Sequence, residues 1–197
     1  MKQRRSRISR PTGGSLGCLL VLVACAALAE PETIQAQTPD MAASVAPLFG
    51  MIERSFVALA DAMPAETYGF RPTEGEFQSV RTFGEQVKHV ACANFAFFNE
   101  VESKEPPAHC DTGGPSPATT KAELMTYLRQ SFEYGRSVLE SMTAENALDA
   151  TTGPYGGEST RLALTSLAIW HASDHYGQLV VYLRLNGIIP PASRSAG

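Results

Sequence analysis

The stretch STRLALTSLAIWHASDHYGQLVVYLRLNGIIPP, residues 159–191, decides the fold. Within it Leu164, Ala168, His171, His175, Leu179 and Tyr182 recur at steps of three and four, the spacing of one helix face. Ser159 is a plausible N-cap, and Asn186-Gly187 followed by Pro190-Pro191 is a C-terminal stop. His171 and His175 therefore lie one turn apart on the side that looks inward. A buried imidazole needs a partner for each ring nitrogen. Two imidazoles at this spacing meet that need either by core hydrogen bonds or by sharing a divalent metal, and a third histidine elsewhere has to decide between the two.

Working backward, three more stretches carry helical periodicity. Val45, Leu48, Phe49, Ile52, Phe56, Leu59 and Met63 predict a helix from Met41 to Met63, stopped by Pro64. A second helix runs from Ser79 or Thr82 to Val101, with a Thr82/Glu85 capping box and the stripe Val87, Val90, Asn94, Phe98, Val101. Asn94 is polar on that inward side and needs a partner. A third helix starts at Thr119 or Thr120 with a Thr120/Glu123 capping box and ends near Met142. Its inward positions are Leu124, Leu128, Ser131, Gly135, Val138 and Met142, and Gly135 suggests close packing. Residues 68–77 read as an ordered loop crossing the end of the bundle. Residues 103–119 and 146–158 read as Gly- and Pro-rich connections. No strand-like alternation is sustained. The fold class is all-α, a four-helix bundle, with loops long enough for consecutive helices not to be neighbours.

The N-terminus reads as an export signal. Five of the 16 basic residues (Lys2, Arg4, Arg5, Arg7, Arg10) fall in residues 1–29, which hold no acid. An apolar run of about 14 residues, Leu16 to Ala29, ends in Ala27-Leu-Ala29 and is short for a membrane span. The organisation predicted is a signal peptide over 1–29, a polar tether over 30–40 and one helical domain over 41–192. The destination is the periplasm or the extracellular space; Leu22-Val-Ala-Cys25 also resembles a lipobox, which would anchor the chain through Cys25. No transmembrane span is expected in the mature chain. The remainder carries 11 basic and 20 acidic residues with no basic stripe, which argues against nucleic acid as a partner. Homodimerisation through helix faces fits a bundle, although no sequence patch calls for it.

Export changes the cysteine reading. Cys18 and Cys25 belong to the leader, leaving Cys92 and Cys110 as an even pair in an oxidising compartment. A bridge between them closes a loop of about 18 residues, worth about 3 kcal/mol in the chain-entropy model. Cys92 is also one turn from His89, which leaves a ligand role open, and two unrelated thiols is the third reading.

His89 lies at the edge of the second helix's buried face. With His171 and His175 it would give a divalent ion three nitrogen ligands and open coordination positions, the pattern of a catalytic site. Imidazoles suit zinc, nickel or iron. Asp174, beside His175, reads as a base or as a group orienting a ligand, against a solvated helix carboxylate. Gln178 is placed to touch a small-molecule substrate. Glu85 could support His89. His109 reads as a solvated loop residue, and Trp170 and Tyr176 as packing residues.

Several of these motifs resemble the DinB-like metalloprotein superfamily. They are Glu85-Gln-Val-Lys-His89-Val, His171-Ala-Ser-Asp-His175-Tyr-Gly-Gln-Leu, Tyr182-Leu-Arg-Leu-Asn-Gly with its double proline, and Phe70-Arg-Pro72. The resemblance covers Met41 to about Ala192. It implies a four-helix bundle and a divalent metal on His89, His171 and His175. It implies a metal-dependent hydrolase or a thiol-dependent transferase acting on a small molecule; a non-catalytic, stress-related metal- or ligand-binding module is the alternative. The export signal and the Cys92/Cys110 pair depart from that family pattern.

Overall fold

Each of the four long helices begins at a side-chain cap, which is why the four boundaries fall where they do. The computed structural model describes residues 40–77, 79–154 and 157–194. Signal peptide, lipobox and nearly all of the tether lie outside the described residues. The long elements are α1 (Met41–Ala62), α2 (Phe83–Val101), α3 (Lys121–Leu139) and α4 (Arg161–Leu185), with a hairpin of β1 (Ala150–Thr152) and β2 (Glu158–Thr160) before α4. Asp40, the last residue of the predicted tether, accepts from the Ala43 N–H at 3.1 Å and starts α1. Thr82 and Thr120 each form a complete capping box with Glu85 and Glu123. The cap of α4 is Thr160, one residue later than expected, because Ser159 pairs with Thr151 in the hairpin. Three residues per strand are too few for a period of two to show in the sequence.

The helices that pack closely are α2 with α3 and α4, and α1 with the same two. Consecutive helices α1 and α2 are thus diagonal, as are α3 and α4. The long connections allow this order, and it places α2 beside α4. The core holds Phe49, Phe56, Phe98, Phe132, Leu128 and Leu179, all fully buried. At the crossing of α1, α2 and α3, Gly135 makes room for two rings. A Cβ there would lie 2.5 Å from Phe98 and 2.6 Å from Phe49. Phe49 meets Phe98 edge-on, with centroids 5.2 Å apart. Buried Asn94 finds its partner in Ser131, 3.2 Å away on α3.

The loop before α2 is ordered because it closes that helix's free N–H groups. Tyr68 and Phe70 carbonyls accept from Gly84 and Phe83 at 2.8 and 2.9 Å. The Phe70 ring stands edge-on to Tyr182 of α4. Helix α1 has the length and apolar composition to cross a membrane, and its stripe Phe49, Ile52, Phe56, Leu59 is buried in the bundle. Two packing expectations fail. Trp170 is 61% exposed, on the outer face of α4, and Leu48, at the edge of the α1 stripe, is 53% exposed. Both sit in a helical rhythm whose inner arc is narrower than the apolar arc of the sequence.

Candidate metal centre

The capping box fixes the start of α2, and two turns further on that helix presents His89 toward α4. From α4, one turn of helix separates His171 and His175, whose ring centroids are 4.5 Å apart. The His89 centroid lies 5.0 Å from that of His171 and 4.9 Å from that of His175. One ligand atom from each ring can be chosen so that all three fall within 4.8 Å of one another. Nε2 of His89 and Nε2 of His171 are already 3.1 Å apart; nitrogen ligands at about 2.0–2.1 Å around a tetrahedral ion stand about 3.3 Å from each other. His171 and His175 are buried, and His89 is partly so. Phe97 closes one side against His171.

Burial sets the charge of this cluster. It pushes His171 down to about 3, helped by His175, His89 and Arg81. It pushes His175 down to about 4, with His89 and Arg81 acting in the same direction. His89 is also lowered, mainly by burial and with Arg81 contributing, against the opposing pull of the Cys110 carbonyl. All three rings are neutral at pH 7, the state in which an imidazole has a lone pair to give.

The carbonyl of Cys110 lies 2.6 Å from Nδ1 of His89. A carbonyl only accepts, so Nδ1 carries the hydrogen and Nε2 keeps the lone pair. Nδ1 of His171 and Nδ1 of His175 are buried with no hydrogen-bond partner among the described residues. Unpartnered buried nitrogens are costly, so the cluster is poorly satisfied as a set of core hydrogen bonds. Its donor set, three neutral imidazoles with Nε2 of His89 and Nε2 of His171 already at ligand spacing, fits a divalent ion.

The other expected residues sort as follows. Cys92 and Cys110 form a disulfide, with Cα atoms 5.2 Å apart, so Cys92 is no ligand. Glu85 Oε2 accepts from the Thr82 N–H at 2.7 Å and from Arg71, which makes it a helix cap. Asp174 is exposed, and its Oδ2 accepts from Gln178 Nε2 at 2.8 Å. Gln178 Oε1 in turn accepts from Gln86 Nε2 at 3.1 Å. This Gln86–Gln178–Asp174 chain runs across the α2–α4 seam beside His175. Among the described residues, no other His, Cys, Asp or Glu joins the three histidines. His109 is exposed in the loop, as expected.

Two neighbours carried no role in the sequence reading, although Gln86 shares a helix stripe with His89. Gln86 is buried and shares the seam with Gln178, but a lone Gln in a helical stripe carries no signal of its own. Arg81 precedes the cap of α2, where no period applies. Its Nε and Nη2 donate to the Asp111 carbonyl at 3.1 and 2.7 Å, and its own carbonyl accepts from the Tyr182 hydroxyl. Among the described residues no carboxylate lies within ion-pair distance of it. A cleft of about 590 Å³ is lined by Arg71, Arg81, Gln86, Gln178 and Tyr182 among others, so two of the residues beside His175 also stand in its wall.

The sequence profile of the DinB superfamily matches residues 49–179, a span that includes all three histidines. The chain belongs to the DinB superfamily. Solved DinB-like structures share the fold. One from Bacillus subtilis is 23% identical, with a TM-score of 0.56 over 73% of this chain and 92% of its own. Another, from Bacillus cereus, is 16% identical, with a TM-score of 0.62 over 76% and 95%. No curated protein matches. At these identities the DinB-like neighbours speak for the helical scaffold alone, and the chemistry has to come from the residues of this chain.

Proposed function

We propose that this DinB-superfamily chain is an exported protein that binds a divalent metal through His89, His171 and His175 and acts on a small anionic molecule as a hydrolase or transferase. The carrying observation is the convergence of three neutral imidazoles with no fourth protein ligand among the described residues. Structural zinc sites are closed by four protein ligands, whereas three leave room for substrate. A divalent ion (zinc, nickel or iron) supplies Lewis-acid polarisation of a substrate oxygen when bound. The chain supplies the rest. Gln86 and Gln178 offer amide groups in the wall of the cleft, and Asp174, hydrogen-bonded to Gln178, is the candidate base. Arg81, a guanidinium with no carboxylate partner among the described residues, favours an anionic substrate group in the same cleft. Export is supported by the basic and apolar leader over residues 1–29 and by a disulfide, which belongs in an oxidising compartment.

The test is elemental analysis of the purified protein with and without His171→Ala. About one divalent ion per chain is expected in the parent, and none in the variant. Equal metal content in the two would overturn the site. Turnover of carboxylate-bearing esters or thiol adducts by the metal-loaded parent, lost in His171→Ala, separates an enzyme from a binding module.

A further inference from the structure

His89 owes its hydrogen-bond partner to a segment 21 residues further along the chain. That segment is pressed onto α2 by independent contacts. Cys110 is bonded to Cys92, one turn after His89 on the same helix face. Gly113 and Gly114 have φ of +95° and +73°, a region costly for other residues. A Cβ on Gly113 would lie 2.9 Å from the Lys88 side chain, and one on Gly114 would run into the sulfur of Cys92. Arg81 grips the Asp111 carbonyl from the far side. A bridge anywhere in this connection would tether it. This one is made at the residue whose own carbonyl meets the histidine.

We propose that the Cys92–Cys110 disulfide is the positioning element of the three-histidine site. It holds the Cys110 carbonyl on Nδ1 of His89, fixes that ring as the Nδ1–H tautomer, and keeps the Nε2 lone pair turned toward His171. A ring without this acceptor samples both tautomers and more than one orientation, and metal binding then has to select the competent one. Partners of this kind behind a ligand histidine typically change metal affinity by about 10–100-fold. Both cysteines act through His89, and neither sulfur is a metal ligand. The affinity part of this inference rests on the metal reading above; the tautomer part does not.

The experiment has two arms. In the first, 15N chemical shifts of the His89 ring are recorded on metal-free protein, oxidised and after reduction by a trialkylphosphine. The phosphine takes an oxygen from one water to become the phosphine oxide and leaves two thiols. Oxidised protein is expected to show a single Nδ1–H tautomer, and reduced protein a mixture. In the second arm, zinc affinity is measured by chelator competition on the parent and on the Cys92→Ser/Cys110→Ser double variant, since freed thiols would themselves bind zinc. The dissociation constant is expected to rise about 10–100-fold while helical circular dichroism is unchanged. A His89 ring that stays in one tautomer after reduction, or a zinc affinity within twofold of the parent in the folded double variant, overturns the proposal. If the double variant does not fold, the reduced parent still decides it. If the parent takes up no zinc, the metal reading fails and the tautomer arm alone decides this one.

Discussion

Nε2 of His89 and Nε2 of His171 lie 3.1 Å apart although 82 residues separate them in the chain. The contact exists because α2 and α4 are neighbours in the bundle, and it spans the two helices without any covalent link. An ion shared by these nitrogens would join α2 to α4 only in the folded state, since the unfolded chain holds no such pair. Saturation at 100 times the dissociation constant then stabilises the fold by about 2.7 kcal/mol. Thermal melts with added zinc against excess chelator should show the parent's Tm rising by several degrees. His89→Ala should show no zinc-dependent rise. An equal rise in both proteins would place the zinc elsewhere.

Gly135 carries a second prediction. In a helix interior Ala is favoured over Gly by about 1 kcal/mol. Here the added carbon would sit 2.5 Å from the Phe98 ring and 2.6 Å from the Phe49 ring, which are themselves fully buried. Overpacking of a closed core costs about 1–3 kcal/mol, and contacts this short put the cost toward the upper end, so the steric effect exceeds the helix gain and Gly135→Ala should lower Tm by about 2–6 °C. A variant as stable as the parent would show that the two rings can move apart.

The fold was legible because each helix carries an apolar rhythm and α2 and α3 add a capping box; the Asp40 cap of α1 went unread, and the cap of α4 fell on Thr160 and not on Ser159. Of the two starts open for each of α2 and α3, the capping-box residues Thr82 and Thr120 are the ones used, while α3 ends at Leu139, short of the expected Met142. The three histidines and the cysteine pair were legible as candidates, and only the fold chose among their open readings by bringing His89 to His171 and His175 and bonding Cys92 to Cys110. What stayed hidden is what depends on neighbours brought in by tertiary structure. The Cys110 carbonyl is a backbone atom and has no sequence signature. Arg81 and Gln86 acquire meaning only once α2 lies against α4. The diagonal placement of α1 and α2 is permitted by loop length but not dictated by it. Trp170 misleads for the opposite reason: its size suggests a core residue, yet the helix arc it occupies faces away from every partner.

Glu100 gives the pH dependence. Its Oε2 is buried without a partner among the described residues, and burial lifts the carboxyl from its ordinary value near 4.5 to about 7. The folded state therefore holds a proton on Glu100 between those values that the unfolded chain has lost. The contribution to stability is fully present below pH 4.5 and is lost as pH rises toward 7. Glu100→Gln keeps the shape and removes the charge. It should raise Tm more at pH 8 than at pH 5, read from melts of both proteins at the two pH values. A shift of the same size at both would mean that the carboxyl titrates as an exposed group.

Arg81 bears on what the cleft accepts. Two of its donors are occupied by the Asp111 carbonyl, and no carboxylate within ion-pair reach among the described residues neutralises the guanidinium. Its charge acts to lower all three histidines, and its side chain lines the cleft together with Gln86 and Gln178. Hydrogen bonds to charged groups contribute about 1.5–3 kcal/mol, or about 10–100-fold in affinity. On the metal-loaded protein, Arg81→Gln should therefore weaken binding of small carboxylates by about tenfold or more while leaving the matching primary amides unchanged. Gln keeps a donor for the Asp111 carbonyl, so the loop that carries Cys110 stays in place and zinc affinity serves as the internal control. Equal losses for carboxylates and amides would assign Arg81 to holding the loop. A loss confined to the carboxylates would assign it to recognising the substrate's charge.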